Sequence, residues 1–413
     1  MASSRNVIIA GAGIGGLSAA LMLARSGFRV TLLEQAARLS EVGAGIQLSP
    51  NATRILIALG LGDRLRADAF KPEVLAIKTA SGGRLTRAPF GDEGERRYGA
   101  PFWSIHRGDL QAALLDAVRA NPDIVLRLGI KVEDFAVHAN GISVACRHGS
   151  AIDDEHGIAL IGADGLWSTL RGRIGPQEPG FRNRTAWRTL IPISMIEDEE
   201  FRAPEVQLWL GKNAHVVHYP VKNGTLINIV AIVNDRWSEP GWSVEGKREE
   251  LLAHFSPWTW CQPVRDFLAL PERWQKWALY DMAPFDTWGR GPMTLLGDAA
   301  HPMLPYLAQG AAMAIEDAAV LADNMAQRPN DPAAAMRRYE AARRKRTAKV
   351  QRAARSNGRV YHLAAAEGLL RNLFLRLAGG KRLLRRYNWL YDWQTATPGN
   401  AVHSSTRSAP DDD

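Results

Sequence analysis

The sequence predicts an α/β fold that begins with a parallel β-sheet unit, contains an inserted mixed β-sheet and ends in helices. Three observations support this order. A glycine-rich turn follows an apolar run at the start of the chain, alternating apolar runs lie between Arg188 and Asn234, and amphipathic stretches of helical composition follow residue 330. Apolar runs joined by helical patterns are typical of parallel units, whereas alternation of apolar and polar residues is typical of strands with one buried face.

The first segment has the spacing of a dinucleotide-binding turn: residues 5–35 read RNVIIAGAGIGGLSAALMLARSGFRVTLLEQ. The run from Val7 to Ala10 predicts a strand, and Val30 to Leu33 predicts a second strand after a helix. Gly11 permits a tight turn and Gly13 lets the backbone approach a pyrophosphate at the helix N-terminus. Gly16 allows close packing of the helix.

An acidic residue completes this pattern. Glu34 follows Gly13 by 21 positions, at the tip of the second strand. A carboxylate in that position is placed to accept hydrogen bonds from ribose hydroxyls and disfavours a 2′-phosphate. Strand, turn, helix and acid together predict a Rossmann-like dinucleotide-binding unit. A Gly-rich turn of some other α/β fold is the alternative.

Composition excludes several classes of protein. No secretory signal is expected, because glycines interrupt the first apolar run, and no window approaches 18 consecutive apolar residues, so no membrane span is expected. Cys146 and Cys261 are the two cysteines of the chain. They provide neither a disulfide framework nor a metal-ligand cluster, so we expect no metal and a reduced, cytoplasmic setting.

Positive charge is concentrated near the C-terminal end. The range 331–390 carries 16 Lys and Arg residues against 3 Asp and Glu residues. A solvated helix face is the simplest interpretation; a subunit contact, as in a homodimer, and attraction of anionic partners stay open. Nucleic-acid binding is not supported, because no recognised module accompanies the charge.

Two further segments combine an apolar run with an acidic turn. IALIGADGLWSTLRGRIG places Asp164 at the end of a predicted strand, where open α/β sheets bind ligands. LLGDAAHPMLPYLAQGAAMAIED contains Gly297 and Asp298 in a Gly-Asp turn, followed by a loop and a helix that begins at Gly310. Arg107 lies in IHRGDL, just before another predicted helix, where it could pair with a phosphate or with a surface acid.

In this order the three motifs resemble those of the single-component FAD-dependent aromatic hydroxylases, which include salicylate, 3-hydroxybenzoate, 6-hydroxynicotinate and p-hydroxybenzoate hydroxylases. The resemblance runs from about Asn6 to Trp393 and implies a p-hydroxybenzoate hydroxylase-like fold. Carried over residue by residue, it implies that FAD is held by Gly11, Gly13, Gly15, Gly16, Glu34, Arg107, Asp164, Gly297, Asp298, Gly310 and Ala311.

The predicted division of the chain is discontinuous. The FAD-binding domain comprises residues 1–75, 100–185 and 285–330, and the substrate domain comprises 76–99 and 186–284. Basic helices follow over 331–395. Residues 396–413 are polar and rich in Pro, Gly and Ser, so we expect a largely disordered tail.

The catalytic residues are predicted in the segment HVVHYP. His215 and Tyr219 share one face of a predicted strand, and His218 lies on the other. Their spacing resembles the His-x-x-x-Tyr of 3-hydroxybenzoate and 6-hydroxynicotinate hydroxylases, which implies that His215 deprotonates the phenol and that Tyr219 positions the substrate. A structural histidine is the alternative for His215. Gln309 is the third predicted catalytic residue, because it matches a glutamine that several of these enzymes place close to flavin and substrate.

Three further residues are candidates for substrate binding. Arg188 and Arg236 could each hold a carboxylate, or each could be a surface charge. Gln47 occupies the position where the 6-hydroxynicotinate enzymes carry a histidine, which argues against that particular substrate. His301, within the Gly-Asp turn, is expected to pack the motif.

The resemblance implies a monooxygenase that hydroxylates a small phenolic acid, salicylate-like or 3-hydroxybenzoate-like, with NADH or NADPH as transient reductant and O2, through a flavin C4a-hydroperoxide. The alternatives are hydroxylation of an N-heteroaromatic such as 6-hydroxynicotinate, or a flavin epoxidase or halogenase of the same fold. More remote is a non-catalytic binding protein built on that fold. Intact flavin-facing motifs favour an enzyme.

Overall fold

The computed structural model describes residues 5–39, 44–239 and 243–395, so the predicted tail at 396–413 lies outside the described residues. Its strands in chain order are β1 Asn6–Ala10, β2 Arg29–Glu34, β3 Gly45–Leu48, β4 Val74–Thr79, β5 Arg84–Pro89, β6 Trp103–His106, β7 Ile124–Leu128, β8 Lys131–His138, β9 Gly141–His148, β10 Ala151–Gly157, β11 Ala159–Gly162, β12 Gly180–Pro192, β13 Glu205–Gly211, β14 Ala214–Val221, β15 Leu226–Asn234, β16 Val244–Gly246, β17 Trp274–Asp281, β18 Gly289–Arg290 and β19 Met293–Leu295.

The helices lie between and after these strands. They are α1 Ile14–Arg25, α2 Pro50–Leu56, α3 Gly62–Asp68, α4 Asp92–Tyr98, α5 Arg107–Ala120, α6 Thr169–Ile174, α7 Glu199–Arg202, α8 Arg248–Ala253, α9 Gln262–Ala269, α10 Gly310–Gln327, α11 Pro332–Tyr361, α12 Ala365–Arg386 and α13 Asn388–Tyr391. One π-helical turn spans Ile57–Leu61, and short 3₁₀ turns span Ile193–Met195, Gly297–Ala299 and Pro305–Leu307.

A six-stranded sheet of order β18-β19-β11-β1-β2-β7 carries the three motifs. Its central strand β1 pairs in parallel with β2 and β11, and β11 pairs in parallel with β19. The register aligns Ala10 with Gly162 and Gly162 with Leu295. Because parallel strands end at the same edge, the turns that follow these three residues lie side by side.

An eight-stranded mixed sheet of order β16-β17-β12-β15-β14-β13-β4-β5 forms the second layer. One face packs into an apolar core that contains Trp187, Trp209 and Trp274, each at most 1% exposed. The opposite face carries His215 and Tyr219, since side chains alternate along a strand. Strands and helices thus follow the predicted order, and the predicted fold class is confirmed.

The C-terminal helices are less solvated than a basic amphipathic segment suggests. In α11, Tyr339 is fully buried and Arg343 is only 1% exposed. In α12 the exposed side chains include large apolar ones: Leu369, Leu370, Leu373, Phe374 and Leu377. The interpretation of this region as a solvated helix face is therefore wrong for part of α11. None of the described helices combines the length and apolarity needed to cross a membrane.

Candidate functional site

The turn between β1 and α1 depends on two glycines that contact backbone. Gly11 has φ of 103° and donates its N–H to the Leu33 carbonyl oxygen at 2.7 Å. A Cβ on Gly11 would stand 2.3 Å from the Ala163 carbonyl oxygen, and one on Gly16 would stand 1.9 Å from the Gly11 carbonyl oxygen. Both glycines are thus needed for the chain to pack at this edge of the sheet.

Gly13 differs from both, because a Cβ there meets no protein atom within 4 Å. Its backbone is extended, with φ −72° and ψ −178°, which any residue can adopt. Gly13 therefore borders open space directly before the N-terminus of α1. A helix N-terminus with unpaired N–H groups and a bare backbone in front of it fits a dinucleotide pyrophosphate.

We predict that Gly13→Ala and Gly16→Ala separate ligand binding from folding. Gly16→Ala should lower the free energy of unfolding of the apoprotein by about 1–3 kcal/mol, because the new methyl group overlaps backbone. Gly13→Ala should leave that free energy nearly unchanged and weaken FAD binding by roughly tenfold or more, about 1.4 kcal/mol. Urea unfolding and fluorescence titration of the apoprotein with FAD measure the two effects. Equal FAD affinity in Gly13→Ala and wild type would contradict the binding of the pyrophosphate in front of Gly13.

Glu34 is fixed at the tip of β2. Its Oε2 accepts a hydrogen bond from the Ala12 N–H at 2.8 Å, and its Oε1 accepts one from the Ala36 N–H at 2.9 Å. The carboxylate therefore stands beside the glycine turn, where its remaining lone pairs can accept from ribose hydroxyls.

The second motif turns at Asp164. Asp164 Oδ2 accepts from the Leu170 N–H at 3.1 Å, while its Oδ1 is buried without a partner. Ser168 caps α6 by accepting from the Arg171 N–H at 2.9 Å. Burial raises the pKa of the Asp164 carboxyl, and Ser168 and the Leu170 N–H oppose that shift. An orphaned buried oxygen at the carboxyl end of the sheet is an acceptor for a ligand hydroxyl or N–H.

The third motif places Asp298 on the cleft surface, directly after β19. The surrounding protein raises the pKa of its carboxyl, with His301, Arg107 and Arg171 acting in the opposite direction. These opposing charges show that the second motif and the segment IHRGDL converge on the third motif, since Arg171 belongs to α6 and Arg107 to α5. A Cβ on Gly310 would have only Asp298 Oδ1 nearby, at 3.9 Å, so space also opens at the start of α10. Ala311 follows in the first turn of that helix.

A buried ion network lies beneath the Gly-Asp turn. Asp317 Oδ2 accepts from the Gly297 N–H at 3.1 Å and lies 2.5 Å from His301 Nε2, which agrees with the predicted packing role of His301. Arg343 donates to Asp317 Oδ1 and to Glu316 Oε2, both at 2.6 Å. The network therefore fixes the turn to α10 and α11, and sequence reasoning missed Arg343 and Glu316.

Gln309 joins this network to the start of α2. Its Nε2 donates to Ser49 Oγ at 2.8 Å, and its Oε1 accepts from Asn51 Nδ2 at 3.1 Å. Asn51 also donates to Glu316 Oε1 at 2.7 Å. Gln309 is 2% exposed. Its amide is thus engaged by protein groups, and the side chain fixes the residue that precedes α10.

Tyr219 and Asn228 form a pair on the site-facing side of the eight-stranded sheet. Asn228 Oδ1 accepts from the Gly45 N–H at 2.6 Å, while its buried Nδ2 has no partner. Burial raises the pKa of Tyr219 to about 12, against the influence of Arg188 and a hydrogen bond with Gln47. The structure therefore brings together Gln47 and Tyr219, both of which are predicted to contact the substrate.

Arg188 belongs to the same cluster. It lies on β12 with its guanidinium carbon 5.3 Å from the centre of the Trp277 ring, and its Nε is buried without a partner. Burial lowers its pKa, Tyr219 raises it and Arg107 lowers it further. Arg236 is exposed in the loop after β15, so the structure does not bring it to the cluster. Its selection as a substrate residue rested on residue type alone.

His215 occupies the other end of the same face of β14. It is 2% exposed, with its ring centre 5.4 Å from those of Tyr306 and Tyr361. His215 Nδ1 lies 2.8 Å from His362 Nε2, a partner that sequence reasoning missed. His218 points the other way and accepts from Trp209 Nε1 at 3.3 Å, within the apolar core, as predicted for a structural histidine.

Comparison with known proteins agrees with this geometry. The family described as FAD binding domain matches residues 4–354. The 3-hydroxybenzoate 6-hydroxylase of Polaromonas naphthalenivorans (strain CJ2) is 36% identical, covering 94% of this chain and 96% of its own. The 3-hydroxybenzoate 6-hydroxylase 1 of Aquipseudomonas alcaligenes is 38% identical, covering 94% and 98%.

A solved structure extends the comparison. Klebsiella pneumoniae HpxO, complexed with FAD and uric acid, is 27% identical and superposes with a TM-score of 0.81, covering 92% of this chain and 95% of its own. Sequence and fold thus match over nearly the full length. The chain belongs to the FAD-binding domain family and, within it, to the single-component FAD-dependent aromatic hydroxylases.

Proposed function

We propose that this protein hydroxylates a small phenolic acid of the 3-hydroxybenzoate or salicylate type, with FAD as cofactor, O2 as co-substrate and NADH or NADPH as reductant. The observation that carries the proposal is the pairing of the three-motif FAD cradle with a sheet face that presents His215, Tyr219 and Arg188. The relatives named above are 3-hydroxybenzoate hydroxylases, which supports a phenol that carries a carboxylate.

FAD, when bound, supplies the activation of oxygen and its transfer to the ring. Gly13 and the N-terminus of α1 would hold the pyrophosphate, Glu34 the ribose and Asp298 the ribityl chain. The N-terminus of α10 at Gly310 and Ala311 directs N–H groups and a positive dipole end toward the cleft, which stabilises negative charge on a reduced flavin. Gln309 holds that helix start in place through Ser49 and Asn51.

The residues of the sheet face would prepare the substrate. A phenol becomes electron-rich when it loses its proton, and His215 is the neutral base available on this face. Burial holds the pKa of His215 well below its usual value, so the imidazole is uncharged at neutral pH and keeps a lone pair for the substrate hydroxyl. Tyr219 would place the ring, because it keeps its own proton and so remains a hydrogen-bond donor.

The carboxylate of the substrate would lie against Arg188. Two buried donors without protein partners, Arg188 Nε and Asn228 Nδ2, lie on the same side of the sheet. An anion that accepts from both removes the cost of leaving them unpaired, and a guanidinium is suited to a planar carboxylate. Asn228, which sequence reasoning did not select, is therefore proposed as a substrate contact.

Arg188→Met tests this assignment. The KM for a carboxylated phenol should rise by about 30-fold or more, since truncating one partner of a buried charged pair costs about 2–5 kcal/mol. Steady-state kinetics of substrate-stimulated NADH oxidation measure the change. Arg236→Met is the matched control and should leave KM unchanged, because Arg236 is exposed outside the cluster. An unchanged KM in Arg188→Met would remove Arg188 from the carboxylate site.

The experiment that tests the function as a whole is a panel of aromatic acids added to the FAD-loaded protein with NADH or NADPH, with products identified. A hydroxylated phenolic acid supports the proposal. Release of peroxide alone with every phenol would contradict it. A hydroxylated N-heteroaromatic such as 6-hydroxynicotinate would select the alternative, which Gln47 disfavours. A colourless protein that refuses FAD would point to a binding protein without catalysis.

Assembly and location belong to the same proposal. A homodimer is supported by the exposed apolar side chains of α12, which include Leu369, Leu373 and Leu377. A reduced, cytoplasmic setting is supported by the two cysteines, Cys146 and Cys261, which are both free. Sedimentation of the purified protein measures the first of these.

A further inference from the structure

Two buried histidines from distant parts of the chain form an imidazole pair. His215 Nδ1 and His362 Nε2 are 2.8 Å apart, although 147 positions separate them in the sequence. His215 lies on β14, and His362 caps the C-terminal end of α11. His215 is 2% exposed and His362 is 7% exposed. His362 therefore contacts the proposed base from the end of α11.

The pair can be hydrogen-bonded in two ways, because each neutral imidazole carries one N–H. If His362 Nε2–H donates, His215 carries its own proton on Nε2 and cannot act as a base there. If His215 Nδ1–H donates, Nε2 of His215 is free to accept, and His362 carries its proton on Nδ1. Only the second arrangement is competent for deprotonation of a substrate.

The charged and titratable groups around the pair keep it neutral. Burial lowers the pKa of His215 well below its usual value, and His362 and Arg184 lower it further. Burial lowers the pKa of His362 to about 3, assisted by Arg184 and Arg371. The phenols of Tyr306 and Tyr361 complete the surroundings, and burial raises the pKa of both. The pair is therefore neutral before the substrate gives up its proton.

We propose that His362 is a positioning residue that holds His215 in its basic tautomer and accepts the proton that His215 takes from the substrate. This proposal rests on the proposed function of His215. The substrate hydroxyl gives its proton to His215 Nε2 and the Nδ1 proton of His215 passes to His362 Nε2, so that His362 carries one positive charge while the phenolate carries one negative charge. The same path in reverse returns a proton to the product oxygen and restores the second arrangement, in which His215 Nδ1–H donates.

The test measures proton transfer without turnover. FAD-loaded wild type, His362→Gln and His362→Ala are mixed with 3-hydroxybenzoate and with salicylate in the absence of reductant and oxygen. Binding is followed by the flavin absorbance, and phenolate formation by its own absorbance. We expect both variants to bind the phenol but to form phenolate at least tenfold more slowly. Added imidazole should restore the rate in His362→Ala.

His218→Gln is the matched control, because it removes a buried histidine from the opposite face of the same strand. It should form phenolate at the wild-type rate. Wild-type rates in His362→Gln, with FAD content unchanged, would overturn the relay while the proposed function stood. A wild type that binds these phenols without forming phenolate would overturn the relay as well. A wild type whose flavin absorbance responds to no phenol would overturn the proposed function, and the relay with it.

Discussion

Arg343→Met is expected to destabilise the protein by about 3–5 kcal/mol and to abolish stable FAD binding. Arg343 is 1% exposed and contacts two carboxylates that are themselves fully buried, Glu316 and Asp317. Without Arg343, Asp317 is left with His301 and Glu316 with Arg346. Removing one partner from a buried ion network costs far more than an exposed pair contributes. Asp317 also holds the N–H of Gly297, so the flavin-facing turn loses its anchor. Urea unfolding with and without FAD measures both effects.

The control lies on the same helix. Arg352→Met removes an exposed arginine of α11 and should change the free energy of unfolding by no more than about 0.5 kcal/mol. If Arg343→Met proved as stable as this control, the buried network would contribute nothing to folding and the anchoring of the turn would need another source.

Lowering the pH should destabilise the protein through the same buried ion network. Burial alone would raise the pKa of Asp317, but His301 and Arg343 outweigh it and lower the pKa to about 2. A carboxyl whose folded pKa is below its unfolded value stabilises the fold above the unfolded pKa, near 4, and loses that contribution as the pH falls toward 2. The free energy of unfolding of the wild type should therefore fall between about pH 4 and pH 2. In Arg343→Met the same fall should occur at higher pH, because the arginine that lowers the pKa of Asp317 is absent.

The cofactor cradle could be predicted because its parts are local. Gly11, Gly13 and Glu34 act within one strand, turn, helix and strand, and the structure preserves that order. Asp164 and Asp298 each follow a short apolar strand, so their position at the sheet edge follows from parallel pairing. Such motifs require particular backbone conformations, and the spacing of their residues along the sequence therefore predicts them.

The supporting contacts could not be predicted, because residue type does not specify a partner. Arg343 lies in a run of basic residues, and nothing in that run distinguishes it from exposed neighbours such as Arg352. His362 meets His215 only because the end of α11 packs against β14. Arg236 was selected because an arginine can bind a carboxylate, but it lies on an exposed loop away from the other substrate candidates.

His215→Ala is expected to lower the rate of hydroxylation by roughly 10²–10⁴-fold, the usual contribution of a positioned general base. FAD should remain bound, because His215 lies on the eight-stranded sheet and the cradle on the six-stranded one. The pKa of His215 is well below its usual value, so wild-type activity should stay level across neutral pH and fall only in acid, where the imidazole gains a proton. The pH dependence of kcat/KM, with FAD content, measures both.

The pH profile of the variant distinguishes a base from a packing residue. Without a base, only phenol that has already ionised can react, so the residual rate of His215→Ala should rise with pH toward the pKa of the free phenol. Lost packing alone would lower the rate by the same factor at every pH. His218→Gln, which removes a histidine from the apolar core behind the same strand, should keep the wild-type profile. If the rate of His215→Ala were lowered by the same factor at every pH, His215 would not be the base. Tyr219 and Arg188 would then orient a substrate that ionises without a base from the protein.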